Sequence, residues 1–182
     1  MIHLETERLL LRDWCDSDLD PFAALNADRR VMEFFPATLD RAESDRLAAN
    51  IRSRLAQQGH GLYAVEVKDS GRFVGFVGFN RPSFEAPFLP AIEIGWRLAF
   101  TAWGQGYATE AALACLAYGF STLGFDEVVS FTALPNKRSI AVMERIGMTR
   151  DADGDFDHPS MPEGHALRRH LLYRMARPAP SA

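Results

Sequence analysis

The chain has 182 residues, 20 basic and 24 acidic side chains, a net charge of −4 and two cysteines. At roughly 150 residues per domain, that is enough for one domain, expected over residues 1–177, with 178–182 expected as a disordered tail. Hydrophobic residues at 47% and charged residues at 24% exclude disorder as the default state. The mild acidity excludes a nucleic-acid-wrapping surface, which needs a concentrated basic patch.

Lys68 and Lys137 are the only lysines, and the arginines are scattered. Cys15 and Cys115 lie far apart in unlike surroundings, so neither a disulfide framework nor a thiolate metal site is expected, and a reducing compartment fits. The opening stretch is charged from residue 5 and holds only a three-leucine run, which is unlike a signal peptide. No apolar stretch reaches the ~18 residues that a bilayer span requires. The expectation is a soluble cytoplasmic protein with no membrane partner.

In chain order, the apolar run 8–12 bounded by charge reads as a strand. Asp16, Ser17 and Asp18 offer a cap to a helix over 18–27, with Pro21 in its first turn. Thr38 or Asp40 caps a second helix, on which Leu47, Ile51 and Leu55 recur every four residues, and Gly59 and Gly61 end it. Residues 62–67 and 73–79 form a hairpin about Asp69-Ser70-Gly71, and Gly75 and Gly78 within it signal a close backbone approach or a bulge. A proline-rich loop over 80–90 leads to a strand over 92–98. A helix over 108–123 is expected to face inward through Leu113, Leu116 and Phe120. A strand over 128–132, a short helix opened by Asn136 or Ser139 and stopped by Gly147, and a strand over 170–175 complete the chain. This is an α+β pattern with a mixed sheet.

The stretch most informative about chemistry is Trp103 to Glu110, between strand and helix. Gly104 and Gly106 let the backbone turn tightly and present successive N–H groups, while the following helix directs its positive dipole end to the same place. From spacing alone, a pyrophosphate cradle and a plain strand-to-helix turn both remain open. The stretch is not a P-loop, because no Gly-Lys-Ser/Thr follows, and the third glycine of the dinucleotide fingerprint would fall at Thr109.

Three motifs in order carry a resemblance: Thr6–Arg12 with Asp18 following, Trp103–Ala111, and Asn136–Met148. With the strand at 92–98 they make the chain resemble the GNAT superfamily of acetyl-CoA-dependent N-acetyltransferases, in particular the ribosomal-protein N-terminal (alanine and serine) acetyltransferases. The resemblance spans most of residues 3–150. It implies a mixed, mostly antiparallel sheet of six to seven strands, splayed at a bulge and flanked by about four helices.

The resemblance also implies an acetyl-CoA site. The amides of Gly104, Gln105, Gly106, Tyr107, Ala108 and Thr109 would hold the pyrophosphate, although Trp103 stands where the family's motif usually has Gln or Arg. The backbone of Trp96, Arg97 and Leu98 would pair with pantetheine as an added strand. A bulge near Glu93–Trp96, compatible with Gly95, would aim an amide at the thioester carbonyl. Asn136 would contact pantetheine, and Ser139 would lie at the sulfur end of the cofactor. Met143 occupies the place where many members carry a tyrosine acid, so Ser139 or a water is the expected proton donor.

An amine acceptor must lose a proton, and Glu93 is the candidate base, acting directly or through water. Glu110 fits better as a partner of the helix dipole. Trp14, Phe34 and Phe35 are candidate acceptor-pocket walls, and His158 and Glu163 are candidate acceptor-pocket groups on the loop between the last two strands. Asp151, Asp153, Asp155 and Asp157 alternate like a calcium loop, but the glycine comes at the fourth position and a proline at the twelfth, so a solvated turn is expected. No metal is expected.

The acceptor would be a small-molecule amine or a protein N-terminus, and the enzyme a monomer or homodimer. The rival readings are a non-catalytic acyl-CoA-binding module of the same fold and an unrelated phosphate-ligand enzyme.

Overall fold

The computed structural model describes residues 1–179. Of the expected tail, Pro178 and Ala179 are exposed without regular structure, and the remainder lies outside the described residues. The elements in order are β1 (Ile2–Glu5), β2 (Leu9–Arg12), a 3-10 turn (Asp16–Asp18), α1 (Leu19–Ala27), α2 (Arg41–Gln58), β3 (Leu62–Val67), β4 (Arg72–Asn80) and β5 (Glu93–Leu98). A second 3-10 turn (Phe100–Ala102), α3 (Tyr107–Ser121), β6 (Glu127–Ala133), α4 (Lys137–Arg145), β7 (Thr149–Asp157) and β8 (Arg169–Ala176) follow.

The strands form one mixed sheet of eight in the order β1-β2-β3-β4-β5-β6-β8-β7. Pairing is antiparallel from β1 to β4 and among β6, β8 and β7. It is parallel between β5 and β6, with Glu93 opposite Val129. The α+β expectation holds with eight strands in place of the six to seven expected, and β1 and most of β7 lie where the chain-order expectation placed no strand. Both are edge strands: β1 is only four residues long, too short for the alternation of Ile2 and Leu4 with His3 and Glu5 to stand out, and β7 is acidic and lacks such alternation. The solvated turn expected across Asp151–Asp157 is in fact β7, with a register irregularity between Asp151 and Phe156. Its carboxylates face arginines: Asp151 receives Arg174 Nε at 2.6 Å, and Asp157 receives Arg168 Nε at 3.2 Å.

The residues cluster into two compact units. One comprises residues 1–79 and 95–115; the other, over the described residues, comprises 80–94 and 116–179. In the first, Leu9, Leu11, Phe22, Tyr63, Val65, Val74 and Val77 are at most 1% exposed and form the core. Asp18, itself buried, receives Arg12 Nη1 at 2.7 Å, Arg12 Nη2 at 2.9 Å and the Cys15 N–H at 2.9 Å, which ties β2 to the start of α1. Asp40 caps α2 by accepting the Glu43 N–H at 2.8 Å, and Glu43 returns a bond to the Asp40 N–H. Gly59 closes the helix in the left-handed region at φ 71°.

Gly75 of β4 has φ 134°, and a Cβ there would lie 2.1 Å from the Arg97 carbonyl oxygen, so the absent side chain permits close contact with β5. In the second unit, Val128, Val129, Met143 and Leu172 are completely buried. Along α3 the inward positions are Ala111, Ala112, Cys115 and Leu116, whereas Leu113 is 46% exposed, which corrects the expected inward face. Small residues fill that face, so a search for large apolar side chains passes over it.

Candidate active site

The Trp103–Glu110 stretch lies in the first unit. Gly104 and Gly106 adopt φ 75° and 80°, and nothing stands within 4 Å of where a Gly104 side chain would project. The Glu110 N–H bonds the Gly106 carbonyl at 3.0 Å, which leaves the Tyr107, Ala108 and Thr109 amides as donors without acceptors inside α3. Left-handed glycines ahead of a helix start, with open space above Gly104 and Arg8 Nη2 3.4 Å from where a Gly106 side chain would project, fit a pyrophosphate.

Side chains hold this loop. The Trp103 indole N–H donates to the Leu98 carbonyl at 2.9 Å, so the residue that departs from the family motif ties the loop to the end of β5. Arg8 Nη1 donates to the Gln105 carbonyl at 2.9 Å, and its guanidinium lies 4.9 Å from the centre of the Tyr107 ring. The opening motif therefore reaches the loop through Arg8.

Of the residues expected to pair with pantetheine, Leu98 is buried while Trp96 and Arg97 keep partial exposure. The Arg97 side chain turns into the first unit and lies 4.1 Å from the centre of the Phe35 ring. Phe34 and Phe35 are half-buried. Trp14 is a core residue rather than an accessible wall. It is 5% exposed, its ring is 4.8 Å from Phe22 and 5.4 Å from Phe73, and its N–H bonds the Leu62 carbonyl. Cys115 is buried, and desolvation raises its thiol pKa, so it is no nucleophile.

The second unit holds Glu93. Burial pushes its carboxyl up to about 7, and a hydrogen bond from Asn80 Nδ2 at 3.1 Å opposes the shift only in part. A carboxyl raised toward neutrality can exchange a proton there. The sequence offered no sign of Asn80, because its contact with Glu93 depends on how the proline-rich loop returns.

Asn136 caps α4. Its Oδ1 accepts the Ser139 N–H at 3.2 Å, and its Nδ2 donates to Ser139 Oγ at 3.0 Å and to Thr132 Oγ1 at 2.8 Å. The Ser139 hydroxyl thus accepts from the cap and keeps its own proton available to donate.

His158 lies in an aromatic cluster with Phe84 at 4.7 Å and His170 at 4.8 Å. Phe88, Phe131 and Phe156 belong to the same cluster, and Phe84 and Phe156 stack at 5.7 Å. Burial, with His170 adding to it, holds the His158 ring down to about 4, so it is neutral at physiological pH. Glu163 is exposed in the segment between β7 and β8 and is not part of the cluster. The phenylalanines of this cluster were not singled out as site residues from sequence, since no periodicity links a loop to three strands.

Comparison with known proteins agrees with this architecture. The acetyltransferase (GNAT) domain family matches residues 8–149. The chain is 37% identical to the uncharacterized protein YkkB of Bacillus subtilis (strain 168) over 150 residues, covering 80% of this chain and 84% of YkkB. A GNAT-family acetyltransferase structure from Bacillus anthracis superposes with a TM-score of 0.79 at 25% identity, covering 97% of this chain and 99% of the other. At 19% identity, the ribosomal L7/L12 α-N-protein acetyltransferase RimL, solved with coenzyme A, shares the fold with a TM-score of 0.76 over 97% of this chain and 98% of its own. Among the described residues, no group of three or more potential ligands is placed to hold a metal ion, and no helix is long and apolar enough to cross a membrane.

Proposed function

The chain belongs to the GNAT acetyltransferases, and on that premise we propose that it transfers the acetyl group of acetyl-CoA to a primary amine, a protein N-terminus or a small amine, directly within a ternary complex. Acetyl-CoA supplies the activated acyl group. The amides from Gly104 to Thr109 bind its pyrophosphate, and the backbone of Trp96, Arg97 and Leu98 binds its pantetheine arm. Glu93 removes the proton of the ammonium acceptor, directly or through water. Ser139 protonates the departing thiolate, in place of the tyrosine acid for which Met143 stands here. The protein works without a metal ion and in the cytoplasm. The ribosomal-protein branch supplies the protein N-terminus as one acceptor class, in line with the fold shared with RimL.

The observation that supports an enzyme over a passive acyl-CoA-binding module is Glu93 itself. A half-buried carboxyl raised to about 7 by desolvation, bonded by Asn80 at 3.1 Å and without a cationic partner among the described residues, suits proton transfer better than passive binding. The test is acetyl-CoA turnover against a panel of peptide N-termini and small amines, following free thiol. Thiol release coupled to an acetylated amine is expected. Coenzyme A raising the Tm with no thiol released across the panel would assign the protein to the non-catalytic class.

A further inference from the structure

The loop over residues 81–92 leaves β4 at Asn80 and enters β5 at Glu93. Asn80 Nδ2 bonds the Glu93 carboxyl at 3.1 Å, so both ends of the loop meet at that group. Between its ends the loop lays Phe84 and Phe88 over β6, each ring centre 5.8 Å from that of Phe131. Phe88 is also 4.9 Å from Phe156 of β7. His158 closes the group, its ring 4.7 Å from Phe84 and 4.8 Å from His170 of β8.

Strand register puts these groups on one face of the sheet. Glu93 lies opposite Val129, Ala133 opposite His170, and His170 opposite Phe156. Opposed residues project to the same side, as do residues two apart on one strand. Glu93, Val129, Phe131, His170 and Phe156 therefore share a face, and Phe131 stands about 7 Å along β6 from the position opposite Glu93. All of them belong to the second unit.

Packing of the loop on the sheet accounts for Phe156 and His170, which are buried. It does not account for Phe84, Phe88, Phe131 and His158, which stay only half-buried. Contiguous aromatic surface left open to solvent marks a binding face. This one is uncharged. His158 Nδ1 accepts the Ser160 N–H at 3.2 Å and so carries no proton, and His170 Nδ1 bonds the Arg168 carbonyl at 3.1 Å. Burial keeps both rings neutral at physiological pH. The charges beside the two histidines pair with one another, Asp157 with Arg168 at 3.2 Å and with Arg169 at 3.5 Å. One carboxyl and a neutral aromatic surface a few ångströms on complement a molecule with one amine and one apolar ring.

We infer that this face binds the acetyl acceptor, and that the preferred acceptor is a monoamine carrying an aromatic ring, with Phe84, Phe88 and Phe131 as specificity-determining residues. This rests on the acetyltransferase reading with Glu93 as base, and it names the substrate class of that site. The ring lies against the phenylalanines while the amine reaches Glu93. A second ammonium group on the acceptor would find only ring faces there, so the experiment includes a diamine.

Acceptors are compared by kcat/KM from thiol release and acetylated product. Phenethylamine is set against butylamine and putrescine, and a short peptide amide beginning with Phe against one beginning with Ala. The proteins are the wild type, Phe84→Ala and Phe84→Leu, the last keeping an apolar side chain in case the alanine variant does not fold. A wild-type preference of about tenfold or more for the aromatic member is expected in at least one set. The favoured set tells a small amine from a peptide N-terminus. The preference falls by about threefold or more in each variant, while the Tm shift from coenzyme A alone is retained.

Equal use of aromatic and aliphatic acceptors by the wild type overturns the assignment, as does a preference for putrescine or one unchanged in both variants. Self-association of the wild type that Phe84→Ala abolishes, with the preference unaltered, gives the face to a second copy of the chain and also overturns it. If no amine releases thiol, the acetyltransferase reading fails and the Tm of coenzyme A-saturated protein decides. A shift with N-acetylphenethylamine but not with N-acetylbutylamine, lost in Phe84→Ala, then sustains the aromatic site, and the absence of that difference overturns it.

Discussion

Glu110 is held by Arg8 across 102 positions of chain: the Arg8 backbone N–H reaches Glu110 Oε1 at 3.0 Å and Arg8 Nε reaches Oε2 at 2.7 Å. Thr6 Oγ1 adds a third bond at 2.6 Å. Partial burial pushes the Glu110 carboxyl up, but the bonds from Thr6 and Arg8 outweigh it and hold the group below its ordinary range. Glu110 is therefore ionised and fully engaged, which suits a positioning residue and not a general base. Arg8 passes the constraint on, since its Nη1 fixes the Gln105 carbonyl.

Glu110→Gln is accordingly predicted to weaken coenzyme A binding about tenfold while lowering stability by only about 1–2 kcal/mol, and Arg8→Ala to weaken that binding similarly with little effect on stability. Calorimetric titration with coenzyme A beside a urea denaturation series checks this. An unchanged Kd in both variants would show that the loop keeps its shape without the network.

Glu93 yields a paired prediction in pH. Its active form is the carboxylate, so kcat/KM for an acceptor should rise with pH through an apparent pKa near 7. Stability runs the other way. The folded carboxyl binds its proton more tightly than the unfolded one, so between about 4.5 and 7 the native state holds more protons and stability falls as pH rises. Glu93→Gln should therefore abolish activity yet raise stability at pH 8 by up to about 3 kcal/mol, with little effect at pH 4. Denaturation at both pH values decides the matter, and a variant that is less stable at pH 8 would contradict the buried, raised carboxyl.

Much of this was legible in the sequence because the signals are local. The Asp40–Glu43 capping box, the glycine stop at 59 and the glycine pair at 104 and 106 each depend on residues within one turn of chain. The missed features depend on partners far away. β1 and β7 are edge strands, one very short and one acidic, that become strands by pairing with β2 and β8. Trp14 looked available for a pocket until Phe22 and Phe73 were placed around it. Arg97 could be assigned a backbone role, but its side chain acquires meaning only when Asn26, 71 positions earlier, is brought against it.

Gly75→Ala tests the packing of β4 against β5. A Cβ would meet backbone at 2.1 Å, where no rotamer change can relieve it, and φ 134° is unfavourable for alanine besides. A loss of about 3 kcal/mol or more is expected, or failure to fold. By contrast, Gly59→Ala meets nothing within 4 Å and strains only φ 71°, so about 1 kcal/mol is expected there. Similar losses at the two positions would contradict the close approach.

Asn136 and Ser139 divide structure from chemistry on α4. Asn136→Ala removes the side chain that caps the helix and should cost about 1 kcal/mol. Ser139→Ala leaves that cap intact, since the bond uses its backbone N–H, and should change stability by less. It should nevertheless reduce kcat about ten- to a hundredfold by removing the proton donor. Melting and steady-state assays on both variants separate the two, and an unchanged kcat in Ser139→Ala would leave the donor role to water.

The central claim is that Glu93 takes a proton from an amine that then receives the acetyl group. Its most direct measurement is the pH dependence of thiol release and acetylated-amine formation, run side by side for the wild type and Glu93→Gln at saturating acetyl-CoA. The account predicts matched thiol and product in the wild type, rising through an apparent pKa near 7, and neither from Glu93→Gln at any pH despite an undiminished Tm shift with coenzyme A. A Glu93→Gln protein that acetylates amines at the wild-type rate with the same pH profile would contradict it.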